Sequence, residues 1–421
     1  MGHSRLRKFI RFVQSRISKR LWVRPLGVCV LSVLGVYVAS LLDGIGLTQV
    51  LPVITPEAVW ALLTIMAASM LIIATFAVGA MVSAYASASN VASPRSFTLV
   101  IADDVSQNAL SVFLGSFIFS TVALVAMKSS YFESAGRFAV FVMAVVAFAA
   151  VIFVFVRWVD RIARLGRLGG TIEKVEQATA AAVIRRRDAP TLYGVSRGPK
   201  EPIGQPVFSA TIGYVQRIDV AALQAWAEKA QARVTVESLP GAFVAPDGPL
   251  CYVNTHPAEQ AELDVEQVAR KFTIGNQRLF EDDPRFGFIV MSQIAARSLS
   301  SGVNDPGTAI DVIGSLVRLL VLWNSAPTPG DAQKPRYDRV EVPQTEMRDL
   351  FDDAFTAISR DGAGIVEVSL RLQKALHSLA AVGDVAMQDA AMHHARLALA
   401  RAEMALKLPD DLAAVRAAAA V

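Results

Sequence analysis

The chain has 421 residues, of which 53% are hydrophobic and only 19% are charged, whereas an average soluble protein has about 25% charged residues. Its mean hydropathy of +0.42 excludes a disordered chain. The lack of a glycine period and the presence of only two cysteines exclude collagen and disulfide-rich scaffolds. These values indicate a membrane protein rather than a wholly soluble enzyme.

Charge divides the chain into two halves. Residues 1–204 contain 21 basic and 10 acidic side chains, whereas residues 205–421 contain 20 basic and 27 acidic ones. A basic, apolar half followed by a mildly acidic half is typical of a membrane region with an attached aqueous domain. The basic pI of about 9.1 is therefore no sign of nucleic-acid binding, and we expect no nucleic-acid partner.

Residues 1–24 are predicted to form a basic amphipathic helix. Leu6, Phe9, Ile10 and Val13 would share one helical face, and basic side chains occupy much of the rest. Such a helix can lie at the membrane surface and bind anionic lipid head groups. The alternative is a topology signal whose charged face is simply solvated.

Four uncharged segments approach or reach the roughly 20 apolar residues that a bilayer crossing needs. We predict spans at about 25–42, 58–83, 108–127 and 138–156, within a transmembrane domain of residues 25–157. A cleaved signal peptide is the alternative for the first segment. The long basic lead and the absence of a convincing small-residue cleavage site argue against it.

The basic residues predict the orientation of these spans. They precede the first span and follow the fourth, whereas the loop at residues 43–57 has none. Because basic loops stay in the cytoplasm, both termini are expected to be cytoplasmic, with four crossings between them.

The charge-free segment 58–92 is predicted to be one helix that projects from the bilayer, since it would be about 52 Å long at 1.5 Å per residue. Small and hydroxyl side chains can line a water-filled pore or permit close helix packing, and both interpretations stay open. No Asp, Glu, Lys, Arg or His falls within a span, which disfavours proton-coupled transport. The candidate face consists of Ser69, Thr75, Gly79, Ser83, Ser87 and Asn90.

The second half predicts a soluble α+β domain. A basic helical linker is expected over residues 158–204, followed by a cytoplasmic domain at 205–421. Residues 207–217 and 234–239 are strand-like and flank a helical segment at 220–232.

The remainder of this domain is expected to be mostly helical. The turn-rich segment 240–250 predicts a small β unit, and helix begins after residue 257 with a break at 272–280. Residues 325–342 read as an irregular loop and 344–420 as C-terminal helices. The fold class is therefore a membrane α-helical protein with four transmembrane helices plus a cytoplasmic α+β domain.

The sequence contains no convincing catalytic or metal-binding motif. A Walker lysine, H-E-x-x-H and C-x-x-C are absent. Residues 194–198 match the letters of a nucleophile elbow but lie in a Pro/Gly-rich linker. His393 and His394 are adjacent, so on a helix they diverge and cannot clamp one metal alone. We expect no enzymatic activity, no cofactor and no metal site.

The segment at residues 301–308 is the best candidate for a specific functional role. Asp305 can cap a helix that begins at Pro306, which would explain the segment structurally. The alternative is a ligand or subunit contact formed by Arg278, Asp283, Ser301, Asn304 and Asp305.

The chain resembles a family of predicted bacterial integral membrane proteins, the domain of unknown function 2254. The resemblance extends from the second span nearly to the C-terminus and rests on many short sequence blocks that occur in the same order. The blocks are Ala88-Ser89-Asn90, Pro94-Arg95, Gly115, Gly213-Tyr214-Val215-Gln216, Ile218-Asp219, Pro240-Gly241-Ala242-Phe243-Val244, Gly248-Pro249-Leu250, Ile274-Gly275, Arg278, Asp283, Phe286-Gly287 and residues 299–309. The chain departs from the family pattern at Leu279 and Asp282. The family carries no established activity, so the resemblance implies location and architecture, a multi-pass protein of the bacterial inner membrane, but no reaction.

Two functional hypotheses follow. The first is an oligomeric ion channel or channel-like permeation protein, a homo-oligomer whose pore is lined by the second span and gated by the cytoplasmic domain. The second is a non-conducting membrane scaffold or sensor whose cytoplasmic domain binds a partner or small ligand.

Overall fold

The computed structural model divides the chain into two compact units, Met1–Thr171 and Ile172–Val421. The residues that the structure describes are 23–45, 52, 54–91, 94–96, 104–129, 131–165, 168–198, 201–255, 264–327 and 335–420. The predicted amphipathic helix at residues 1–24, and with it the proposed anionic-lipid contact, lies almost wholly outside them.

Four long helices are described in the first unit: α1 (Val23–Leu41), α2 (Pro56–Val91), α3 (Asp104–Lys128) and α4 (Ser134–Leu165). Each is apolar and long enough to cross a membrane, and each contains one predicted span. α2 is one continuous helix of 36 residues, about 54 Å long at 1.5 Å per residue, as the sequence predicts.

The helix α3 is central in the first unit, because it packs against α1, α2 and α4. A small residue permits α1 and α3 to approach closely, since a Cβ on Gly115 would overlap Val28 of α1. Ser32 of α1 donates a hydrogen bond to the Gly115 carbonyl at 3.0 Å. Small residues and interhelical hydrogen bonds hold helices together in lipid, where the hydrophobic effect contributes little between them.

Asp43, in the short 3-10 helix after α1, connects α1 to the start of α4. Its carboxylate accepts hydrogen bonds from Glu133 N at 2.9 Å and Gly136 N at 2.6 Å. The first N–H groups of a helix have no partner within that helix, and the helix dipole favours a negative charge beside them. A Cβ on Gly136 would overlap the carboxylate, so a side chain at this position would displace Asp43 from the contact.

The second unit contains two sheets. The strands are β1 (Gly194–Ser196), β2 (Gln205–Phe208), β3 (Gly213–Ile218), β4 (Arg233–Val236), β5 (Phe243–Val244), β6 (Pro249–Asn254), β7 (Phe272–Gly275) and β8 (Tyr337–Val342). Five form one sheet in the order β1-β8-β4-β6-β2, and three form another in the order β5-β3-β7. In the larger sheet β8 is parallel to both neighbours, and the other pairs are antiparallel.

Helices complete the second unit. They are α5 (Leu168–Asp188), α6 (Val220–Lys229), α7 (Val265–Ala269), α8 (Pro284–Ser298), α9 (Pro306–Asn324), α10 (Met347–Asp361), α11 (Val366–Val382), α12 (Val385–Ala405) and α13 (Pro409–Ala419). The sheets and α6 share one apolar core that includes Leu223, Leu250 and Val340. The predicted α+β class and the C-terminal helices are confirmed.

Two expectations about the strands are wrong. Residues 207–217 form parts of two strands, β2 and β3, which belong to different sheets. Residues 325–342 are not wholly irregular, because they include β8, whose Val340 and Val342 are fully buried. Strand formation depends on the neighbours a strand packs against, and the neighbours of β8 lie far earlier in the chain.

The segment predicted as a linker, residues 158–204, is divided in the structure. Residues up to 165 extend α4, whereas β1 and the part of α5 from Ile172 onward belong to the second unit. α5 is an internal helix of that unit, since Val175 and Val183 are fully buried.

The helix α9 is a fifth helix that is long and apolar enough to cross a membrane. It packs against α8 and α11 within the second unit. Arg318 of α9 forms an ion pair with Glu176 of α5 at 2.7 Å. The described residues therefore contain five candidate spans, one more than the four predicted.

Candidate functional site

The predicted face on α2 lies opposite the side by which α2 packs in its own chain. Thr75, Gly79 and Ser83 are exposed, and a Cβ on Gly79 would meet no described atom within 4 Å. Their spacing of four residues aligns them along the helix. The packing side consists of Val59, Leu63, Met66, Met70, Ala74, Ala77 and Met81. The small-residue face is therefore not covered by any part of the chain that the structure describes.

The members of the predicted face differ in burial and in hydrogen bonding. Ser69 is half-buried, so it lies closer to the packing side. Thr75 Oγ1 donates to the Leu71 carbonyl at 2.8 Å, which satisfies its hydroxyl within the helix. Ser87 and Asn90 continue α2, but their side chains lie outside the described residues. An exposed face of this kind is available both to a pore and to helix packing between subunits.

In the second unit, Arg278 and Asp283 form a bidentate ion pair. Arg278 Nε donates to Asp283 Oδ2 at 2.7 Å and Nη2 to Oδ1 at 3.0 Å. The Asp283 side chain is only 3% exposed, and it also caps α8 by accepting a hydrogen bond from Phe286 N at 3.1 Å. A buried carboxylate is tolerated when it is paired and hydrogen-bonded in this way.

Two arginines in the last turn of α5 hold the loop that precedes α8. Arg185 Nε donates to the Glu281 carbonyl at 3.0 Å, and Arg186 Nη2 donates to the Asp282 carbonyl at 3.0 Å. Arg186 is 4% exposed. Burial lowers its pKa, and the nearby charges of Asp283 and Asp282 oppose that shift. The contact to Asp282 is made through its backbone, so the family departure at this residue leaves the contact intact.

Glycines bring distant parts of the sequence against this ion pair. Gly241 has a φ of +98°, which side-chain-bearing residues rarely adopt, and a Cβ there would overlap the Asp283 carboxylate. Blocks that carry the family resemblance therefore meet in one place, and close packing explains their glycines. Two further contacts of this kind join Gly287 to Thr179 and Gly275 to Gln216.

Asp305 caps α9, as the sequence predicts. Its Oδ1 accepts a hydrogen bond from Thr308 N at 3.1 Å, and its Oδ2 accepts one from Thr308 Oγ1 at 2.6 Å. These bonds stabilise the carboxylate and lower its pKa. Pro306 is the first residue of the helix, where its missing N–H has no structural cost.

The structure does not bring the five residues of the predicted contact together within one chain. Arg278 and Asp283 lie at the start of α8, whereas Ser301 and Asn304 follow its end. α8 has 15 residues, so it separates the two groups by about 22 Å. Ser301 and Asn304 are exposed, and Asn304 has a φ of +50°. The loop is therefore a surface separate from the Arg278–Asp283 pair.

Sequence reasoning missed a second ionic cluster beside this pair. Arg285, in the first turn of α8, donates to Asp349 at 2.5 Å and to Asp353 at 2.6 Å. Burial raises the pKa of Asp353, and Arg285 opposes that shift. Asp349 and Asp353 are four residues apart on α10, which places them on one helical face. The spacing of these two aspartates in the sequence was the feature from which the cluster could have been predicted.

The comparisons with known proteins agree with this architecture. The family described as "Predicted membrane protein (DUF2254)" matches residues 18–378. Over 134 residues the chain is 29% identical to "Uncharacterized protein Rv1290c" of Mycobacterium tuberculosis (strain H37Rv) and to "Uncharacterized protein Mb1321c" of Mycobacterium bovis.

Each of these matches covers 31% of this chain and 26% of the relative, so the chain spans about a quarter of the length of the curated relatives it matches. No solved structure matches the chain. Because the family match extends over most of the sequence, the protein belongs to the DUF2254 family of predicted membrane proteins.

Proposed function

We propose that this protein is an oligomeric, channel-like permeation protein of the bacterial inner membrane. The observation that carries the proposal is the uncovered face of α2 formed by Thr75, Gly79 and Ser83. Small and hydroxyl side chains leave room for water and offer hydrogen bonds to a permeating ion. In a symmetric homo-oligomer the same face of each chain would surround a common axis.

The proposed topology has four spans, α1 to α4, with both termini in the cytoplasm. The basic residues before α1 and after α4 support this orientation. We assign α9 to the soluble second unit, because Val312 and Leu316 belong to the buried side of α9 and Arg318 pairs with Glu176. A charged residue such as Arg318 would also be costly on a membrane-spanning helix.

The second unit is the proposed gate. Its first helix, α5, comes directly after α4 in the sequence, and hydrogen bonds from Arg185 and Arg186 connect its last turn to the carbonyls of residues 281 and 282. A change in the position of α5 would therefore be transmitted to the loop that carries Asp283. In this proposal, a ligand of the second unit would act on the membrane helices through α5.

Thiol accessibility and ion flux test the pore. Gly79→Cys and Val146→Cys are compared in a chain whose Cys29 and Cys251 are replaced by alanine. We expect a charged, water-soluble thiol reagent to modify Gly79→Cys and to change ion flux through liposomes. Val146 is 63% exposed in the middle of the α4 span and is the lipid-facing control, which should stay unmodified. No flux in oriented oligomer at several voltages and salts would contradict the channel.

A non-conducting scaffold or sensor is the second candidate. The loop between α8 and α9 favours it, because Ser301, Val303 and Asn304 are exposed while Asp305 alone provides the cap. A photoreactive amino acid at Val303 tests this candidate in intact membranes, with Val385, which is 74% exposed, as the control site. Crosslinking to a partner at Val303 alone, without ion flux, would support the scaffold, whereas no crosslinking would contradict it.

A further inference from the structure

A groove of about 260 Å³ lies between α1, α3 and α4 in the first unit. Its walls are mainly apolar and include Val28, Val112, Phe119 and Met143. The hydroxyls of Ser32 and Ser116 supply its polar side chains, and no ionisable side chain is among the residues that line it.

The groove lies halfway along its helices. Ser32 is the middle residue of α1, and Ser116 is the middle residue of α3. At 1.5 Å per residue, Ser116 is about 18 Å from either end of α3. If these helices span the bilayer, as the proposed topology has it, the groove lies near the centre of a hydrocarbon core about 30 Å thick.

Ser116 offers a free hydrogen-bond donor at this depth. It is only 7% exposed, and its hydroxyl has no partner within the part of the chain that the structure describes. By contrast, Ser32 Oγ donates to the Gly115 carbonyl, and Ser111 Oγ donates to the Gln107 carbonyl at 2.7 Å. One turn after Ser116, the fully buried Ser120 Oγ also lacks a described partner. Unpaired polar groups in hydrocarbon are costly, so the site favours a ligand that brings an acceptor.

The residues that line the groove restrict the kinds of ligand that it can bind. A bare ion would lose its hydration without a compensating charge. The ester carbonyls of ordinary phospholipids belong to the interfacial region, roughly 15 Å from the bilayer centre, so they do not reach Ser116. Phe119 favours a flat aromatic-like ring, and the Met143 sulfur makes favourable contacts with such rings.

We propose that this groove binds a lipid-soluble carbonyl compound of the quinone class. Ser116 Oγ donates a hydrogen bond to a ring carbonyl, while Phe119 and Met143 contact the ring. Binding requires that α1, α3 and α4 span the membrane, but it does not require that the protein conduct ions. Loss of ion flux would therefore leave this proposal standing, and loss of quinone binding would leave the channel proposal standing.

Decylubiquinone is a suitable probe for the binding experiment. It is titrated into the full chain in nanodiscs, and saturable quenching of tryptophan fluorescence is measured. We expect Ser116→Ala to weaken binding about tenfold, as expected for the loss of one hydrogen bond. Ser116→Thr keeps the donor and should retain most of the affinity. Ser111→Ala is the matched control, because Ser111 is buried on the same helix but does not line the groove.

A second variant tests the volume of the groove. Ala147 lines it from α4, and Ala147→Phe should abolish saturable binding while the thermal unfolding temperature stays near that of the wild type. If that variant does not fold, Ala147→Leu replaces it. Equal affinity in the wild type and Ser116→Ala would overturn the proposal. Equal competition by an alkane of the same chain length would also overturn it, since the groove would then hold ordinary lipid chains.

Discussion

Gly241 lies directly against the buried carboxylate of Asp283, so a turn of the small β unit and the start of a helix share one tightly packed contact. The contact leaves no room for a Cβ, and Gly241 also holds a left-handed backbone conformation. Two independent constraints therefore act on the same residue. Among the glycines around this ion pair, Gly241 is the one at which substitution should destabilise the protein most.

We expect Gly241→Ala to destabilise the second unit by about 2 kcal/mol or more, because both the backbone and the Asp283 contact are strained. The labelling rate of Cys251 measures this in a Cys29→Ala chain, since Cys251 is fully buried and burial raises its pKa to about 12. Gly248→Ala is the control, because its Cβ would lie 3.7 Å from the nearest atom. Equal labelling of the two variants would contradict the prediction.

Replacing one partner of the Arg278–Asp283 ion pair should leave the other charge unpaired, and this should lower the free energy of unfolding more than the loss of the pair itself does. Asp283→Asn keeps the cap but leaves the half-buried Arg278 and the buried Arg186 without the carboxylate, and we expect a loss of about 3 kcal/mol in the free energy of unfolding. The double variant Arg278→Met/Asp283→Asn should lose less than the sum of the single variants, because the charge left unpaired at Arg278 is gone. Denaturant unfolding measures both, and strict additivity would show that the two groups do not interact.

In the first unit, Asp43→Ala should destabilise the helical bundle by about 1–2 kcal/mol, since the N–H groups of Glu133 and Gly136 lose their acceptor. Thermal unfolding in detergent is the measurement. Glu57→Ala serves as the matched acidic control, because Glu57 lies in the first turn of α2 and is exposed. An equal effect of the two substitutions would show that the contact between Asp43 and α4 contributes nothing specific.

The pH dependence of protein stability should show a contribution from the protonation of His394. This side chain is 1% exposed, its Nε2 lies 2.9 Å from Asp352 Oδ1, and its Nδ1 has no described partner. Burial lowers its pKa, and Asp352 opposes that shift. The unfolded chain, with a histidine pKa of about 6.5, therefore binds a proton more readily than the folded one.

The stability contributed by neutral His394 is accordingly complete above pH 6.5 and is lost as the pH falls from there toward the folded pKa. His394→Phe keeps a ring of similar size between Phe351 and Phe355 but does not titrate. We expect its thermal unfolding temperature to fall less between pH 7 and pH 5 than that of the wild type. Parallel curves would show that acid sensitivity arises elsewhere.

Local chemistry accounts for the features that the sequence predicted correctly. The cap formed by Asp305 and the helix start at Pro306 involve residues within three positions of each other. The length of α2 also follows from one uninterrupted apolar segment. In each case the interaction that determines the structure is short in sequence, so the residue types reveal it.

Contacts between distant residues account for what the sequence did not reveal. Arg186 was assigned to a basic linker, but it is buried against residues 282 and 283. Asp43 reaches a helix start more than 90 positions later in the chain. From the sequence alone a charged side chain is predicted to be exposed to solvent. Nothing in the neighbouring residues identifies the distant group with which it pairs.

The parallel pairing of β8 with both β1 and β4 has a consequence for biosynthesis. β8 lies between these two strands, so neither acquires this neighbour until residue 342 has left the ribosome. At typical translation rates the interval after β1 is about 7–30 s, by which time all four helices of the first unit have long been synthesised. The nascent second unit therefore exposes unpaired strand edges while its chain is already tethered at the membrane, and it is during this interval that a chaperone would matter most.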